Sequence, residues 1–250
     1  MIYATFTLMG YVLFILTLFC VGCTSLKLSQ AKPEPIPQFQ GVKKPVKVAL
    51  VLGGGGSKGI AHIGVLQELE QAGIHPDLII GCSSGAIIGS LYADHPSVVR
   101  LEELLIDLKR SDLMDISFSR FGLTKGTMLE TFLEKHLEAF QFHQLKIPFI
   151  AVAADLATGE LIELGRGPII PAIHASSAAP GVFNPVYYLG RYLVDGGVVN
   201  PIPVNIAKKY GAEVVIAVDI GEELTKKDPS NLFAIAERSL YIGLVHLFAL

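Results

Sequence analysis

The stretch that decides the fold is Asp77-Leu-Ile-Ile-Gly-Cys-Ser-Ser-Gly-Ala-Ile-Ile-Gly-Ser-Leu91. Leu78 to Ile80 form a short apolar run suited to a buried strand, and Ala86, Ile87, Ile88 and Leu91 keep a helical spacing beyond it. Between them Gly81-Cys82-Ser83-Ser84-Gly85 fits G-x-S-x-G, in which a strained strand-to-helix turn pushes one hydroxyl out of the backbone. Gly81 and Gly85 have a steric reason to stand there, since a side chain at either would collide with the neighbouring strand or helix. The helix that follows turns its free N–H groups and positive dipole end toward Ser83, which favours an anion forming there. The stretch predicts strand, tight turn and helix, with Ser83 as a candidate nucleophile; an ordinary small-residue turn is the competing reading of so short a pattern.

Upstream, Val46-Lys-Val-Ala-Leu-Val-Leu52 reads as a buried strand and is followed by Gly53-Gly-Gly-Gly-Ser-Lys-Gly59. A helix is expected from about Ile60 to Ala72, with Ile63, Leu66 and Leu69 as its inner stripe and Gly73 as its stop. Strand, glycine loop, helix and the Leu78 strand make a βαβ unit and imply a parallel sheet. The loop and the elbow then leave the carboxyl ends of neighbouring strands, where they can share one site. Gly54-x-Gly56-x-x-Gly59 fits the dinucleotide fingerprint, but a nucleotide site wants an acidic residue at the end of the second strand. Asp77 precedes that strand, and the serine elbow occupies its far end. A phosphate loop of the Walker type is excluded because Lys58 is followed by Gly59 and not by Ser or Thr. What all such loops share is a nest of unencumbered N–H groups, able to hold a phosphate or a tetrahedral oxyanion.

Downstream, helices are expected over Ser97–Lys109 and Thr127–Leu137. The connection Ser111–Lys125 is too apolar for a solvated loop and reads as a packed crossover or as a lid over an acyl groove. Strands follow at Pro148–Asp155 and Glu160–Leu164, then a helix at Pro168–Ser177 and a hairpin of Val186–Leu189 with Arg191–Val194 about Gly190. Asp195-Gly196-Gly197 comes next, then a helix from Pro203 to Tyr210, a strand at Val214–Asp219 and a last helix from about Leu232. The chain ends at Leu250 within an apolar helical pattern, which leaves room for further packing elements.

At 250 residues and 51% hydrophobic, the chain supports one sizeable core. The formal net charge is −3, and no block of Lys or Arg is present that could track a phosphate backbone, so nucleic acid is not an expected partner. Of Cys20, Cys23 and Cys82 only Cys82 falls in the globular region, which excludes an internal disulfide framework there. Met1 to Gly22 carries no charged side chain, and the run Tyr11–Phe19 is long enough for a signal-peptide core. It ends in Cys20-Val21-Gly22-Cys23, which resembles a bacterial lipobox and makes Cys23 the expected lipidation site in a cell envelope. Because ~20 apolar residues also span a bilayer, an uncleaved anchor stays open. Thr24 to Pro45, with Pro33, Pro35, Pro37 and Pro45, shows neither period and reads as a tether. The expected organisation is thus residues 1–22 as signal or anchor, 23–45 as tether and 46–250 as the compact domain.

Three blocks resemble the patatin-like phospholipase family in order: Gly54-Gly55-Gly56-Ser57-Lys58-Gly59 its glycine-rich loop, Gly81-Cys82-Ser83-Ser84-Gly85 its elbow, and Asp195-Gly196-Gly197 its Asp-Gly-Gly/Ala. Ala175-Ser176-Ser177-Ala178-Ala179-Pro180 is similar to the small-residue run that the family carries before its catalytic Asp. The resemblance covers about Val46 to Ile220. It implies an α/β fold of three layers, α/β/α, around a mainly parallel sheet, and hydrolysis of phospholipid or lysophospholipid esters at a membrane without metal or cofactor. It also implies Ser83 as nucleophile, Asp195 as its base, and the N–H groups of Gly54, Gly55 and Gly56 as oxyanion donors. Lys58, Gly59, Gly81, Gly85, Gly196 and Gly197 support the motifs. The rival mechanism is a Ser-His-Asp triad, for which His62 and His174 lie nearest, although His62 sits inside the first helix and reads as structural. A thioesterase or small-ester esterase on the same fold, and a non-catalytic envelope lipid-binding protein, are the alternative functions.

Overall fold

A computed structural model describes residues 26–39, 42, 45–106, 108–115, 117 and 121–221, together with Ile235, Arg238, Ser239 and Ile242. The apolar leader, Cys23 and most of the expected last helix lie outside the described residues; those four C-terminal residues are helical. The chain divides into two units, Met1–Ala31 and Lys32–Leu250. In the first, Leu28–Gln30 form a single 3-10 turn.

The elements of the second unit follow in chain order. They are Val48–Leu52 (β1), Ala61–Gln71 (α1), Leu78–Cys82 (β2), Ser84–Asp94 (α2), Val98–Leu105 (α3), Gly122–Thr124 (β3), Thr127–His136 (α4), Phe149–Asp155 (β4), Leu161–Leu164 (β5), Ile169–Ser176 (α5), Gly181–Phe183 (β6), Val186–Tyr188 (β7), Arg191–Asp195 (β8), Val204–Lys209 (α6) and Val214–Val218 (β9). β9, β1, β2 and β4 lie side by side and parallel. Every residue of β2 and β4 is buried, as a parallel sheet covered on both faces requires.

The two faces follow the period of two along each strand. Leu50, Leu52, Ile79, Phe149 and Ala151 enter a large core with Leu66 of α1, Ala86 of α2, Leu101 of α3, Leu133 of α4 and Ile173 of α5. Ala49, Val51, Leu78, Ile80, Ile150 and Val152 enter a smaller one with Ile206 and Ala207 of α6. Helices on both faces of a mainly parallel sheet are the layered α/β architecture read from the sequence.

One departure from parallel order positions the site. β5 lies antiparallel along one edge of β4, over Ala151–Ala154, while β2 lies along the other, over Phe149–Val152. Where β2 stops, β8 takes up that same edge of β4 in the opposite direction, over Ala153–Asp155. Strand β8 therefore runs head-on toward the end of β2. Its last residue, Asp195, is opposite Ala153, and the last residue of β2, Cys82, is opposite Val152.

The expectations for the Ser97 helix and for the tether are revised, and that for the Ser111–Lys125 connection is met in its described part. The helix expected over Ser97–Lys109 is α3 alone, whose first turn is capped by Ser97 Oγ accepting the Arg100 N–H at 3.4 Å; a separate helical turn follows at Arg110–Leu113. The end of the connection after it is fastened to the domain as a crossover would be: β3 pairs in parallel with β6, and the Asp115 carboxylate accepts the Thr124 hydroxyl and, at 3.1 Å, the Gly126 N–H, while Phe121 and Leu123 stay exposed. Ile116 and Phe118 lie outside the described residues. The tether is not free over Lys32–Phe39. Glu34 N–H donates to Leu189 O at 3.0 Å, the Arg166 guanidinium donates to Gln38 O at 3.3 Å, and Phe39 meets Tyr210 edge-on at 5.4 Å. Ile36 packs against the large core. Period-based reading misses such a strap, because isolated apolar residues suffice where each enters a site that the domain has already built. Pro33, Pro35 and Pro37 bring no N–H that would need an acceptor.

Candidate active site

Ser83 is the turn between β2 and α2, with φ 53° and ψ −124°. Non-glycine residues rarely adopt that backbone, so surrounding contacts must impose it. Its carbonyl accepts the N–H groups of Ala86 at 2.8 Å and Ile87 at 3.2 Å, which starts the helix. The flanking glycines let the turn close: a Cβ on Gly81 would sit 2.6 Å from Ala86 Cα, and one on Gly85 would strike the Leu52 carbonyl of β1. This is the steric reason read from the sequence.

Asp195 meets Ser83 from the opposite side, at the end of β8. It is only 6% exposed. Its carboxylate accepts the Gly197 N–H at 2.8 Å and a longer contact from Cys82 Sγ at 3.8 Å, and the Ser83 side chain stands beside it. Burial pushes the Asp195 carboxyl up to about 6, and these three neighbours, Ser83 first, restrain the rise by favouring the charged form. Burial, reinforced by the neighbouring Asp195 charge, holds the Cys82 thiol well above its ordinary value, so it stays protonated and donates. Gly196 leaves room for the carbonyl of Val152, and Gly197 lies 3.1 Å, by its Cβ direction, from Asp195 Oδ1.

The glycine loop adjoins this pair. A Cβ on Gly54 would be 3.2 Å from Ser83 Cβ. Gly56–Ile60 form a 3-10 turn that leads into α1, in place of an open loop. Gly53 is fixed by its N–H to Val218 O at 3.0 Å and by its carbonyl to His62 Nε2 at 2.9 Å. The expected oxyanion set needs one correction: the Gly54 N–H is already given to Pro201 O at 3.1 Å. Among the described residues the N–H groups of Gly55 and Gly56 donate to no backbone carbonyl. Lys58 is exposed, with its backbone N–H on Gly55 O at 3.2 Å, and buried Gly59 lies against Ser84.

Neither candidate histidine turns to the dyad. His62 is buried and braces the loop through Gly53, and burial lowers its pKa, which keeps it neutral. His174 Nδ1 is 2.8 Å from Glu130 Oε1, and its Nε2 faces Gly126. Among the described residues no three His, Cys, Asp or Glu side chains converge to hold a metal ion. Two features escaped sequence reading: the Cys82 thiol on the base, and the hydroxyls of Ser176 and Ser177, which bond the backbone of Ser83. Their only signal was the pair of adjacent hydroxyls in an otherwise featureless small-residue run.

Cys23 lies outside the described residues. The other site residues named from the sequence come together at the ends of β1, β2 and β8. The patatin-like phospholipase family profile matches residues 50–208, which contain all of them. The chain is 32% identical over 184 residues to patatin-like phospholipase domain-containing protein 6 of mouse, covering 70% of this chain and 14% of that protein. It is 37% identical over 180 residues to an uncharacterised NTE family protein of Mycobacterium bovis, covering 70% of this chain and 49% of that one. The chain thus spans less than half the length of these curated relatives. Its fold is similar to that of VipD from Legionella pneumophila, with a TM-score of 0.52 at 15% identity over 89% of this chain and 58% of that one. With the serine elbow, the glycine loop and the Asp-Gly-Gly turn inside the matched span, the chain belongs to the patatin-like phospholipase family.

Proposed function

We propose that the chain is a serine hydrolase of phospholipid or lysophospholipid esters, working through a Ser83–Asp195 dyad. The observation that carries the reading is a buried carboxylate, raised to about 6, beside a serine held on a strained turn. An ordinary carboxylate, with a reference pKa of ~3.9, is too weak a base for serine; one near 6 is better matched to the task and still ionised at neutral pH.

In the first half-reaction Ser83 Oγ bonds to the ester carbonyl carbon as its proton passes to Asp195. The carbonyl oxygen takes the negative charge. The N–H groups of Gly55 and Gly56, which donate to no backbone carbonyl among the described residues, are the donors proposed to receive it, each worth at most ~3–4 kcal/mol of transition-state stabilisation. The carbon–oxygen bond to the lyso-lipid or glycerol fragment then breaks, and the leaving oxygen takes the proton from Asp195. Water repeats the sequence in the second half: it gives a proton to Asp195 and attacks the acyl carbon, and Ser83 leaves with that proton. The fatty acid departs and the dyad is restored.

The family supports a lipid ester as the substrate class, and the mouse relative named above carries phospholipase in its description. We further propose that the domain works at a bacterial envelope membrane, held there through Cys23 or through an uncleaved leader. The direct test is fatty-acid release from lysophosphatidylcholine by purified full-length protein. Wild type is expected to turn over and Ser83→Ala to lose at least ~10³-fold in kcat, as removal of a nucleophile does. Turnover of Ser83→Ala at the wild-type rate would reject the reading.

A further inference from the structure

The pairing of β2 and of β8 with β4 brings Ser83 and Asp195 to one place, and the backbone of each is also held from outside these strands. One short segment, the end of α5 and the two residues after it, contacts both. Buried Ser176 Oγ accepts the Ser83 N–H at 3.1 Å. Ser177 Oγ donates to the Ser83 carbonyl at 3.3 Å. Ala178 O accepts the Asp195 N–H at 2.9 Å. Three consecutive residues therefore hold both backbone polar groups of the nucleophile and the backbone N–H of the base.

The segment is itself rigidly placed. Ser177 N–H bonds the carbonyls of Ile173 and His174, both at 3.0 Å, and Ala179 N–H bonds Ser177 O at 2.8 Å. Ala175, Ser176 and Ala178 are fully buried. Upstream in the same helix, His174 Nδ1 is tied to Glu130 of α4 at 2.8 Å. Downstream, β6 pairs with β3. A serine hydroxyl at the last turn of a helix ordinarily bonds back to a carbonyl one turn earlier, but here both hydroxyls reach to residue 83, more than ninety positions away in sequence.

Resting on the dyad reading above, we propose that Ser176 and Ser177 are positioning residues that set the alignment of Ser83 with Asp195. The two are not equal. Ser176 is the acceptor of a Ser83 N–H that has no helical partner, whereas Ser177 adds a longer third bond to a carbonyl already serving Ala86 and Ile87. Loss of Ser176 therefore does more damage. Neither residue touches substrate, so the damage falls on the step and not on binding, and small misplacements of reacting groups cost up to ~10²-fold in rate.

The test uses the full chain with a soluble p-nitrophenyl ester, reading kcat, KM, thermal midpoint and the rate of fluorophosphonate labelling. Ser176→Ala is expected to lower kcat ~10- to 100-fold with KM within ~2-fold, and Ser177→Ala to lower it a few-fold. Labelling should slow by the same factors. Ser177→Thr, which keeps the hydroxyl, should stay near wild type, and the Ser177→Ala and Ser177→Thr pair decides alone if Ser176→Ala does not fold. A purely structural role would lower the thermal midpoint and leave kcat of the folded protein unchanged, which would overturn the inference. Ser83→Ala run in parallel separates the two claims: wild-type turnover there rejects the dyad, whereas inactive Ser83→Ala beside fully active serine variants rejects the positioning role alone.

Discussion

At the scale of the residue, the role proposed for Asp195 rests on where it is buried. Its carboxyl is raised to about 6 by burial, and the base is the ionised form, so activity is lost as pH falls through that value. We expect the acid limb of kcat/KM to have its midpoint near 6, and expect Asp195→Asn to abolish turnover while the fold persists. Stability runs the other way. A raised acid pKa means that the folded state holds its proton more tightly than the unfolded one, so stability falls as pH rises from about 4 to about 6. The ionised Asp195 thus costs on the order of 3 kcal/mol at neutral pH. Asp195→Asn removes that cost, and its thermal midpoint at pH 7.5 should equal or exceed that of wild type; a large drop would contradict the burial argument. Cys82 is a packed thiol by burial, and its contact with Asp195 depends on a register between β4 and β8 that sequence does not display.

At the scale of the element, the elbow and the glycine loop were legible because short-range rules govern them. A serine held at φ 53° between glycines that a Cβ would jam against Ala86 and Leu52 announces itself in five residues. The approach of β8 along the edge vacated by β2 was not legible, since it is set by the separate long-range pairings of β2 and of β8 with β4. Nor was the commitment of the Gly54 N–H to Pro201, which removes one of three expected oxyanion donors. Gly55 retains that role in the proposal. Its backbone is extended, which any residue tolerates, so space is what demands glycine: an added Cβ would lie 2.7 Å from Ile220 Cγ1 and 2.9 Å from Ile220 O. Gly55→Val should therefore lower kcat ~10²-fold, the scale of one lost oxyanion donor, and also cost ~1–3 kcal/mol by overpacking. Steady-state kinetics with urea unfolding checks both, and wild-type kcat in the folded variant would remove Gly55 from the oxyanion site.

At the scale of the whole molecule, the layered α/β order was readable from the alternation of strand and helix signals, whereas the strap over Lys32–Phe39 was not. Ile36 and Phe39 carry no periodic signal, and their sites on the core and on Tyr210 exist only after the domain has folded. The strap ties down part of the length expected to act as tether. Attachment through Cys23 would therefore leave fewer free residues between lipid and domain, and so hold the domain closer to the bilayer than a free coil over 23–45 would. Burial of a lipid chain contributes ~0.8 kcal/mol per methylene, and two or more chains give stable attachment where one gives only reversible binding. Metabolic labelling with a fatty-acid analogue should mark wild type and not Cys23→Ser, and the variant should keep its leader. Equal labelling of both would reject lipidation at Cys23, and an unlabelled wild type that is membrane-bound at full length would make the leader a transmembrane anchor.

The central claim, that Ser83 attacks with Asp195 as its base, is tested most directly by the pH dependence of covalent fluorophosphonate labelling, located by peptide mass mapping. The account predicts a single adduct on Ser83 in wild type, forming at a rate that rises through a midpoint near pH 6. It predicts no adduct in Ser83→Ala and labelling slowed at least ~10²-fold in Asp195→Asn, within the range contributed by a positioned base. An adduct on another residue, or wild-type labelling with the same pH profile in Asp195→Asn, would contradict it.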